Sequence, residues 1–221
     1  MPSSTVENYL KQIFILQQRT AGPLVSMGKL AEAVGVAPGT ATAMVKALAA
    51  SELLSYEPRG GVTLTTSGEQ LALHVLRRHR LIELFLVNVL GLDWSEVHVE
   101  AEELEHAISE KVLKRIDDLL GRPTMDPHGD PIPTAKGQLN RMHLRSLAEC
   151  SPGQTVLIRR VSDQDPSFLQ FVHRHGLTPG NDLQVIESDE AADAVTVRPE
   201  GGSNVTVGRN AAAKVLVEAA P

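Results

Sequence analysis

The stretch HVLRRHRLIELFLVNVLGLDWSEVHVEAEELEHAISEKVLKRI, residues 74–116, carries His79, Glu83, His98, Glu102, Glu105 and His106 on the two sides of a Gly91-Leu92-Asp93 break. His79 and Glu83 are four apart, and Glu102, Glu105 and His106 follow at spacings of three and four. On a helix those spacings set side chains on one face, one turn above another. Two short helical groups can then hold a cation without a long loop. Imidazole nitrogen and carboxylate oxygen suit a borderline or hard divalent metal. A lone Glu-x-x-Glu-His is most often a solvated helix face. Two such clusters on adjacent helices, each with His and carboxylate, point to a site.

Working outward, composition narrows the class. The 221 residues suffice for a sizeable core and two domains. The single cysteine, Cys150, excludes a disulfide framework or thiolate cluster within one chain and is expected to pack as a small apolar residue. No apolar run has the length of a membrane span, and no basic-then-apolar signal opens the chain, so a cytoplasmic protein with no membrane partner is expected. The net charge of −6 hides an asymmetry. Residues 1–80 hold 8 Lys and Arg against 5 Asp and Glu, and residues 81–221 hold 13 against 22. Phosphate is therefore more welcome at the N-terminal part.

Upstream, Ser4-x-x-Glu7 has the form of a capping box. Val6, Tyr9, Leu10, Ile13, Phe14 and Leu16 recur behind it at helical spacing, up to Gly22-Pro23. Ser26 opens a second helix with Leu30, Ala31 and Val34 inward. After the turn Gly35-Val36-Ala37-Pro38-Gly39, a third runs from Thr40 to about Ser51, with Met44, Val45 and Leu48 inward. Leu53–Glu57 and Val62–Thr65 alternate as strands about the turn Pro58-Arg59-Gly60-Gly61, and Thr66-x-x-Glu69 reads as a second capping box. Three helices followed by a hairpin make a winged helix. Its third helix would enter the major groove and its wing would follow the backbone. The candidate DNA contacts are Pro38, Gly39, Thr40, Thr42, Ala43, Lys46 and Arg59. Lys46 and Arg59 suit phosphates, the threonines phosphate or base edges, and Ala41 and Ala43 thymine methyls. No Arg, Asn or Gln stands there for a bidentate base contact, so thymine contacts and DNA shape would supply much of the specificity.

Downstream, a helix starting near Trp94 or Ser95 is expected to carry Leu104, Ile108, Val112, Ile116, Leu119 and Leu120 along its other face. That stripe suits a two-fold interface with a second copy, and an intrachain core is the alternative. Residues 121–142, GRPTMDPHGDPIPTAKGQLNRM, are broken by Pro and Gly and read as a linker, with His128 a solvated loop residue. Beyond it, short strands at Thr155–Ile158, Asp182–Ile186, Ala194–Val197, Asn204–Val207 and Val215–Val217, with a helix Pro166–His175, suggest a small barrel. His173 and His175 fall on opposite sides of that helix and read as surface residues. The expected divisions are 1–73 winged helix, 74–125 helical metal-binding and dimerisation domain, 126–142 linker, and 143–221 barrel.

These pieces together resemble the family of metal-dependent regulators that includes the diphtheria toxin repressor and the manganese transport regulator. SSTVENYLKQIFIL, the wing ending in LTTSGEQLA, RRHRLIELFL, GLDWSEVHVEAEELEH and DPHGDPIP carry the likeness, the last two most specifically. The resemblance implies an α+β chain of winged helix-turn-helix, helical metal-binding and dimerisation domain, and C-terminal SH3-like β-barrel. Glu102, Glu105 and His106 match the family's primary site, where the iron branch has Cys at the first position and the manganese branch Glu. His79, Glu83 and His98 match the ancillary site of the iron branch. The barrel segment that would complete that site is Ser162-Asp163-Gln164-Asp165, with Asp163 and Asp165 as candidate ligands. The first helix offers Asn8 where the iron branch has Met and the manganese branch Asp. Lys11 stands where the manganese branch has Glu, and a protonated lysine cannot ligate a cation. Carboxylate in place of thiolate at Glu102 hardens the site toward Mn²⁺, with Fe²⁺ the alternative, at one or two ions per subunit. The resemblance thus implies a homodimeric, non-enzymatic transcription factor, most simply a repressor of metal-transport genes, that grips a double-stranded operator when metal draws its first helix toward the helix of Glu102–His106. Two other readings stay open: a metal-independent winged-helix regulator, and a di-metal hydrolytic enzyme, for which no nucleophile or oxyanion-stabilising motif is present.

Overall fold

The computed structural model describes residues 3–19, 22–140 and 142–220. The chain forms two compact units. One comprises residues 1–79, 105–107 and 133–139, and the other residues 80–104, 108–132 and 140–221.

In the first unit, α1 (Ser4–Arg19), α2 (Met27–Ala33) and α3 (Pro38–Ala50) precede the hairpin of β1 (Leu54–Glu57) and β2 (Gly61–Leu64), and α4 (Thr66–Asn88) begins. This is the expected winged helix. Ser26 caps α2 by accepting from the Lys29 N–H, and Gly35 takes a positive φ of 67° just after it. Pro38 opens α3 at a position where its missing N–H costs nothing. The apolar faces close on one core of Tyr9, Leu10, Ile13 and Phe14, Leu30 and Ala31, Ala41, Val45 and Leu48, with Leu54 and Val62 of the hairpin and Ala72, Leu73 and Leu76 of α4. Removing one such Leu or Ile from water contributes about 1.5–3 kcal/mol. Neither expected capping box forms. The Val6 N–H meets the Ser3 hydroxyl at 3.4 Å, while the Glu7 carboxylate turns to Arg78 and His106. Thr65, not Thr66, caps α4, its hydroxyl accepting from the Gly68 N–H at 3.2 Å. Both caps therefore lie one residue earlier than the motif suggests, and at α1 Glu7 is engaged by buried partners instead.

In the second unit the long helix expected from Trp94 divides into α5 (Val97–Leu104) and α6 (Glu110–Leu119). Ser109 stands extended between them and caps α6 by accepting from the Val112 N–H. The predicted apolar stripe divides with it. Of its residues Ile116 is buried, whereas Leu104, Val112 and Leu119 remain exposed; Leu113, outside the stripe, is buried with Leu81 and Ile132.

The C-terminal residues form six antiparallel strands in the order β3-β8-β4-β5-β6-β7. They are β3 (Arg145–Ser146), β4 (Thr155–Val161), β5 (Asp182–Asp189), β6 (Ala194–Pro199), β7 (Val205–Gly208) and β8 (Val215–Ala219). Among the described residues no ladder joins β3 to β7, so the expected barrel is an open sheet. A two-residue β3 is too short to close it. The core is completed by Leu169 and Val172 of α7 (Pro166–Arg174) and Ala212 of α8 (Arg209–Ala212), packed on Val156, Ile158, Val185, Val195 and Val197. Among the described residues no single helix is long and apolar enough to cross a membrane.

One irregularity of this sheet positions the site. The β4–β8 register shifts between Ile158 and Arg160, a bulge that sets the backbone of Arg159 out of the ladder. Loop 125–132 lies against it. The Val161 N–H donates to the His128 carbonyl at 2.8 Å, and Arg160 reaches Asp130 at 2.7 Å. Gly129 has a φ of +83°, and a Cβ there would stand 1.9 Å from the Arg159 carbonyl oxygen. Both the backbone conformation and the space require glycine. Gly129→Ala is expected to cost about 3 kcal/mol, roughly 6–12 °C in Tm. An unchanged melting temperature would show that the loop does not depend on this contact.

Candidate metal centre

The residues singled out by sequence fall into two buried polar clusters, one in each unit. The first centres on Glu105, whose side chain is fully buried in the turn that follows α5. Its Oε1 accepts from Lys11 Nζ at 2.6 Å and lies 3.2 Å from His106 Nε2, and its Oε2 meets His79 Nδ1 at 2.8 Å. Lys11 is itself 1% exposed. Burial pushes the Glu105 carboxyl upward, but the His79 hydrogen bond and the charges of Lys11 and His79 outweigh it and hold the group below the ordinary carboxylate range. Glu105 is thus an ionised carboxylate in the core. His106 Nδ1 meets Glu7 Oε2 at 2.7 Å, and Glu7 also accepts from Arg78. A carboxylate only accepts, so Nδ1 carries a ring proton. The His106 Nε2 lies 2.8 Å from the Asn8 side-chain amide, so Asn8, His106 and Glu105 converge. Asn8 presents either amide end to Nε2 by rotating.

The second cluster centres on Glu83, which is 1% exposed. Its Oε1 meets His98 Nδ1 at 3.2 Å, and His98 Nε2 lies 3.7 Å from Glu102 on the next turn of α5. Its Oε2 faces His128 Nδ1 at 3.9 Å. His128 is fully buried, which overturns its reading as a solvated loop residue. The tight Asp126–Asp130 turn, docked on the β4 bulge, carries it inward. His128 Nε2 lies 2.9 Å from the Trp94 carbonyl, which can only accept, so Nε2 carries a proton and Nδ1 is the nitrogen turned toward Glu83. That Nδ1 is buried without a hydrogen-bond partner. Asp126 Oδ1 accepts from the backbone N–H groups of His128 and Asp130 at 2.8 and 2.9 Å, while its Oδ2 is likewise buried without one. Glu83, Asp126 and His128 each offer a ligand atom within 4.8 Å of the others. Burial, then the charges of Asp130 and Glu83, drive the Asp126 carboxyl well above its ordinary range, with Arg80 opposing. Two carboxyl groups and an imidazole nitrogen within reach of one dry point fit a divalent cation, which would replace the missing hydrogen bonds and offset the like-charge repulsion.

Sequence reasoning missed Asp126 and His128. The Asp-x-His within DPHGDPIP was the available signal, hidden by the Pro and Gly that mark the segment as a linker. Of the candidates from the sheet domain, Asp163 forms an ion pair with Lys214, and Asp165 caps α7 by accepting from the Phe168 N–H at 2.9 Å. His173 is exposed with its ring 6.1 Å from Trp94, and His175 packs on Phe171.

On the winged helix, Pro38, Gly39, Thr40, Ala43 and Lys46 of α3 are exposed, as is Arg59 at the wing tip with a φ of 68°. Thr42 is half-buried, and its hydroxyl donates to the Pro38 carbonyl at 2.8 Å. That leaves Thr40 and Lys46 as the free polar reach of this face.

Family models agree with this layout. The N-terminal DNA-binding domain of iron-dependent repressors matches residues 1–62, their metal-binding and dimerisation domain residues 65–134, and the FeoA domain residues 145–219. The iron-dependent repressor IdeR of Mycobacterium leprae is 31% identical over 227 residues, which cover 97% of this chain and 96% of its own. The diphtheria toxin repressor of Corynebacterium jeikeium is 31% identical over 212 residues, 86% of this chain and 88% of its own. Among solved structures, a manganese-dependent transcriptional repressor in complex with manganese superposes with a TM-score of 0.89 at 41% identity, over 97% of this chain and 100% of that one. ScaR with bound Cd²⁺ gives a TM-score of 0.82 at 31% identity, over 99% and 100%. The chain therefore belongs to the family of the diphtheria toxin repressor and the manganese transport regulator, and is a metal-dependent DNA-binding transcriptional regulator.

Proposed function

We propose that this regulator is a homodimeric repressor of metal-transport genes that grips a palindromic operator when loaded with Mn²⁺, or alternatively Fe²⁺, at two sites per subunit. The observation that carries the metal assignment is the buried Nδ1 of His128, without a hydrogen-bond partner, facing Glu83 and Asp126. One site is built on those three residues with His98 beside them. The other is built on Glu105, His106 and Asn8, with Glu102 one helical turn upstream in the chain. Every donor is oxygen or imidazole nitrogen, a set that suits Mn²⁺ and Fe²⁺ and lacks the thiolate that would favour softer ions. In the Glu83 cluster a bound divalent cation would supply a common partner for the buried carboxyl groups of Glu83 and Asp126.

The chain's residues do the rest. Asn8 sits on α1 and Glu105 and His106 follow α5, so closing this cluster fixes α1 within the winged-helix unit. Thr40, Lys46 and Arg59 then meet phosphate and base edges from a rigid frame. Exposed Leu104, Val112 and Leu119 form the apolar surface on which a second copy would pack, giving the two-fold symmetry a palindrome requires.

The deciding experiment measures binding to a metal-transporter promoter fragment at one fixed salt concentration, without metal and with Mn²⁺, anaerobic Fe²⁺ or Zn²⁺. Mn²⁺ is expected to tighten binding by about tenfold or more. Glu105→Gln and His128→Gln are each expected to remove most of that gain while leaving the weak metal-free binding in place. Equal binding with and without metal would leave a regulator whose clusters are only structural.

Asp126 provides a test that needs no DNA. Its folded pKa lies above the ordinary 3.8, so its ionisation opposes folding. The stability it allows is complete below that value and is lost as pH rises through the raised pKa. In EDTA, Asp126→Asn is therefore expected to melt above wild type at pH 7, with the advantage gone near pH 4. Saturating Mn²⁺ should reverse the order at pH 7. A variant that melts below wild type at pH 7 in EDTA would remove the claim of buried charge repulsion.

A further inference from the structure

The Glu105 cluster is electrically complete without any added ion. Lys11 and Arg78 balance Glu105 and Glu7, all four buried, before any charge on His79 or His106 is counted. Arg78 is committed to Glu7 at 2.8 Å, whereas Lys11 lies on Glu105 itself at 2.6 Å. The Glu105 oxygen that takes the ammonium, Oε1, is also the one that faces His106 Nε2 at 3.2 Å. It is thus the oxygen best placed to share an ion with His106. A divalent cation entering there would add two positive charges to a balanced, dry cluster and would meet an ammonium on the same carboxylate oxygen. Like charges that close inside a protein strongly disfavour one another. Lysine carries a compact charge on a four-carbon stem, which lets the head move away while the stem stays packed.

We propose, on the reading that Glu105 and His106 hold an ion, that Lys11 is a tethered competitor for that ion. Its ammonium holds Glu105 in the metal-free protein and has to leave Oε1 for a divalent cation to be bound there. Lys11 therefore sets the ion concentration at which the regulator responds, and its departure couples occupancy to α1, the helix that carries both Lys11 and Asn8. The same contact keeps a buried carboxylate satisfied when metal is scarce, so the metal-free fold survives with a formed but guarded site.

The full-length protein, stripped with EDTA, is titrated with Mn²⁺ against a fluorescent chelator while tryptophan emission is read in parallel. Trp94 is the single tryptophan and stacks on His128 with ring centroids 5.2 Å apart, so its emission follows the Glu83, Asp126 and His128 site. The step belonging to Glu105 is the one lost in Glu105→Gln. In Lys11→Met this step is expected to tighten about tenfold or more while the Trp94-linked step stays in place and the melting temperature in EDTA falls. Lys11→Arg, which keeps the charge, should retain weak binding. In wild type with labelled lysine, the Lys11 ε-methylene NMR signal should move as Zn²⁺ fills the Glu105 site, a readout that needs no variant to fold. Unchanged or weaker affinity in a folded Lys11→Met protein, or a Lys11 signal unmoved at saturation, overturns the competitor role alone. A wild-type protein with no Glu105-dependent step overturns the metal reading of that cluster as well.

Discussion

A fully buried carboxylate governs the N-terminal unit. An ionised Glu105 would be intolerable in a core on its own, because desolvation strongly disfavours the charge. Lys11 from α1, His79 from α4 and His106 from the adjoining turn make it tolerable. Three separate parts of the chain are thereby tied to one side chain. Glu7 repeats the device a turn earlier on α1, joining Arg78 and His106. The helix that opens the winged helix is held by charge as much as by Leu10 and Ile13. A structure pinned by buried ions is sensitive to the arrival of another ion, and that sensitivity is what a metal-responsive regulator needs.

The second unit solves a different problem. There the polar groups around Glu83 are left partly unsatisfied, with Nδ1 of His128 and Oδ2 of Asp126 both without a hydrogen bond among the described residues. Such groups persist only when the surrounding structure over-determines them. The Asp126 side chain accepts two backbone N–H groups of its own turn, the Trp94 carbonyl holds the His128 ring, and Gly129 lets the loop lie flat on the Arg159 carbonyl. The bulge in β4 is part of this device, since it supplies the exposed carbonyl and directs Arg160 to Asp130. The C-terminal sheet thus supports a polar cluster whose ligand candidates lie outside it.

Much of this was legible in the residues. The winged helix followed from apolar spacing, the Ser26 cap and the Pro58–Gly61 turn, all local signals whose partners lie within a few residues. Glu83 with His98 and Glu105 with His106 were also visible, because helical spacing and chain adjacency hold them close. The errors have separate causes. Ser4-x-x-Glu7 has the form of a capping box, but Glu7 meets Arg78, far along the chain. The continuous helix from Trp94 to Leu120 failed because Ser109 prefers to cap, and the barrel failed because β3 is only two residues long.

The amino-acid sequence by itself determined the class of protein: a hairpin-winged helical N-terminus, paired His and carboxylate clusters without thiols, and a strand-rich C-terminal part. These rest on short-range periodicity and composition, which the chain cannot hide. Only the tertiary structure decided which donors meet. It buried His128 and Asp126 against Glu83 from more than forty residues away, placed the Lys11 ammonium on Glu105, and gave Asp163 to Lys214 and Asp165 to a helix cap. The physical reason is that charge pairing and desolvation act through space. Their outcome depends on which backbone segments pack together, and no spacing along the chain encodes that.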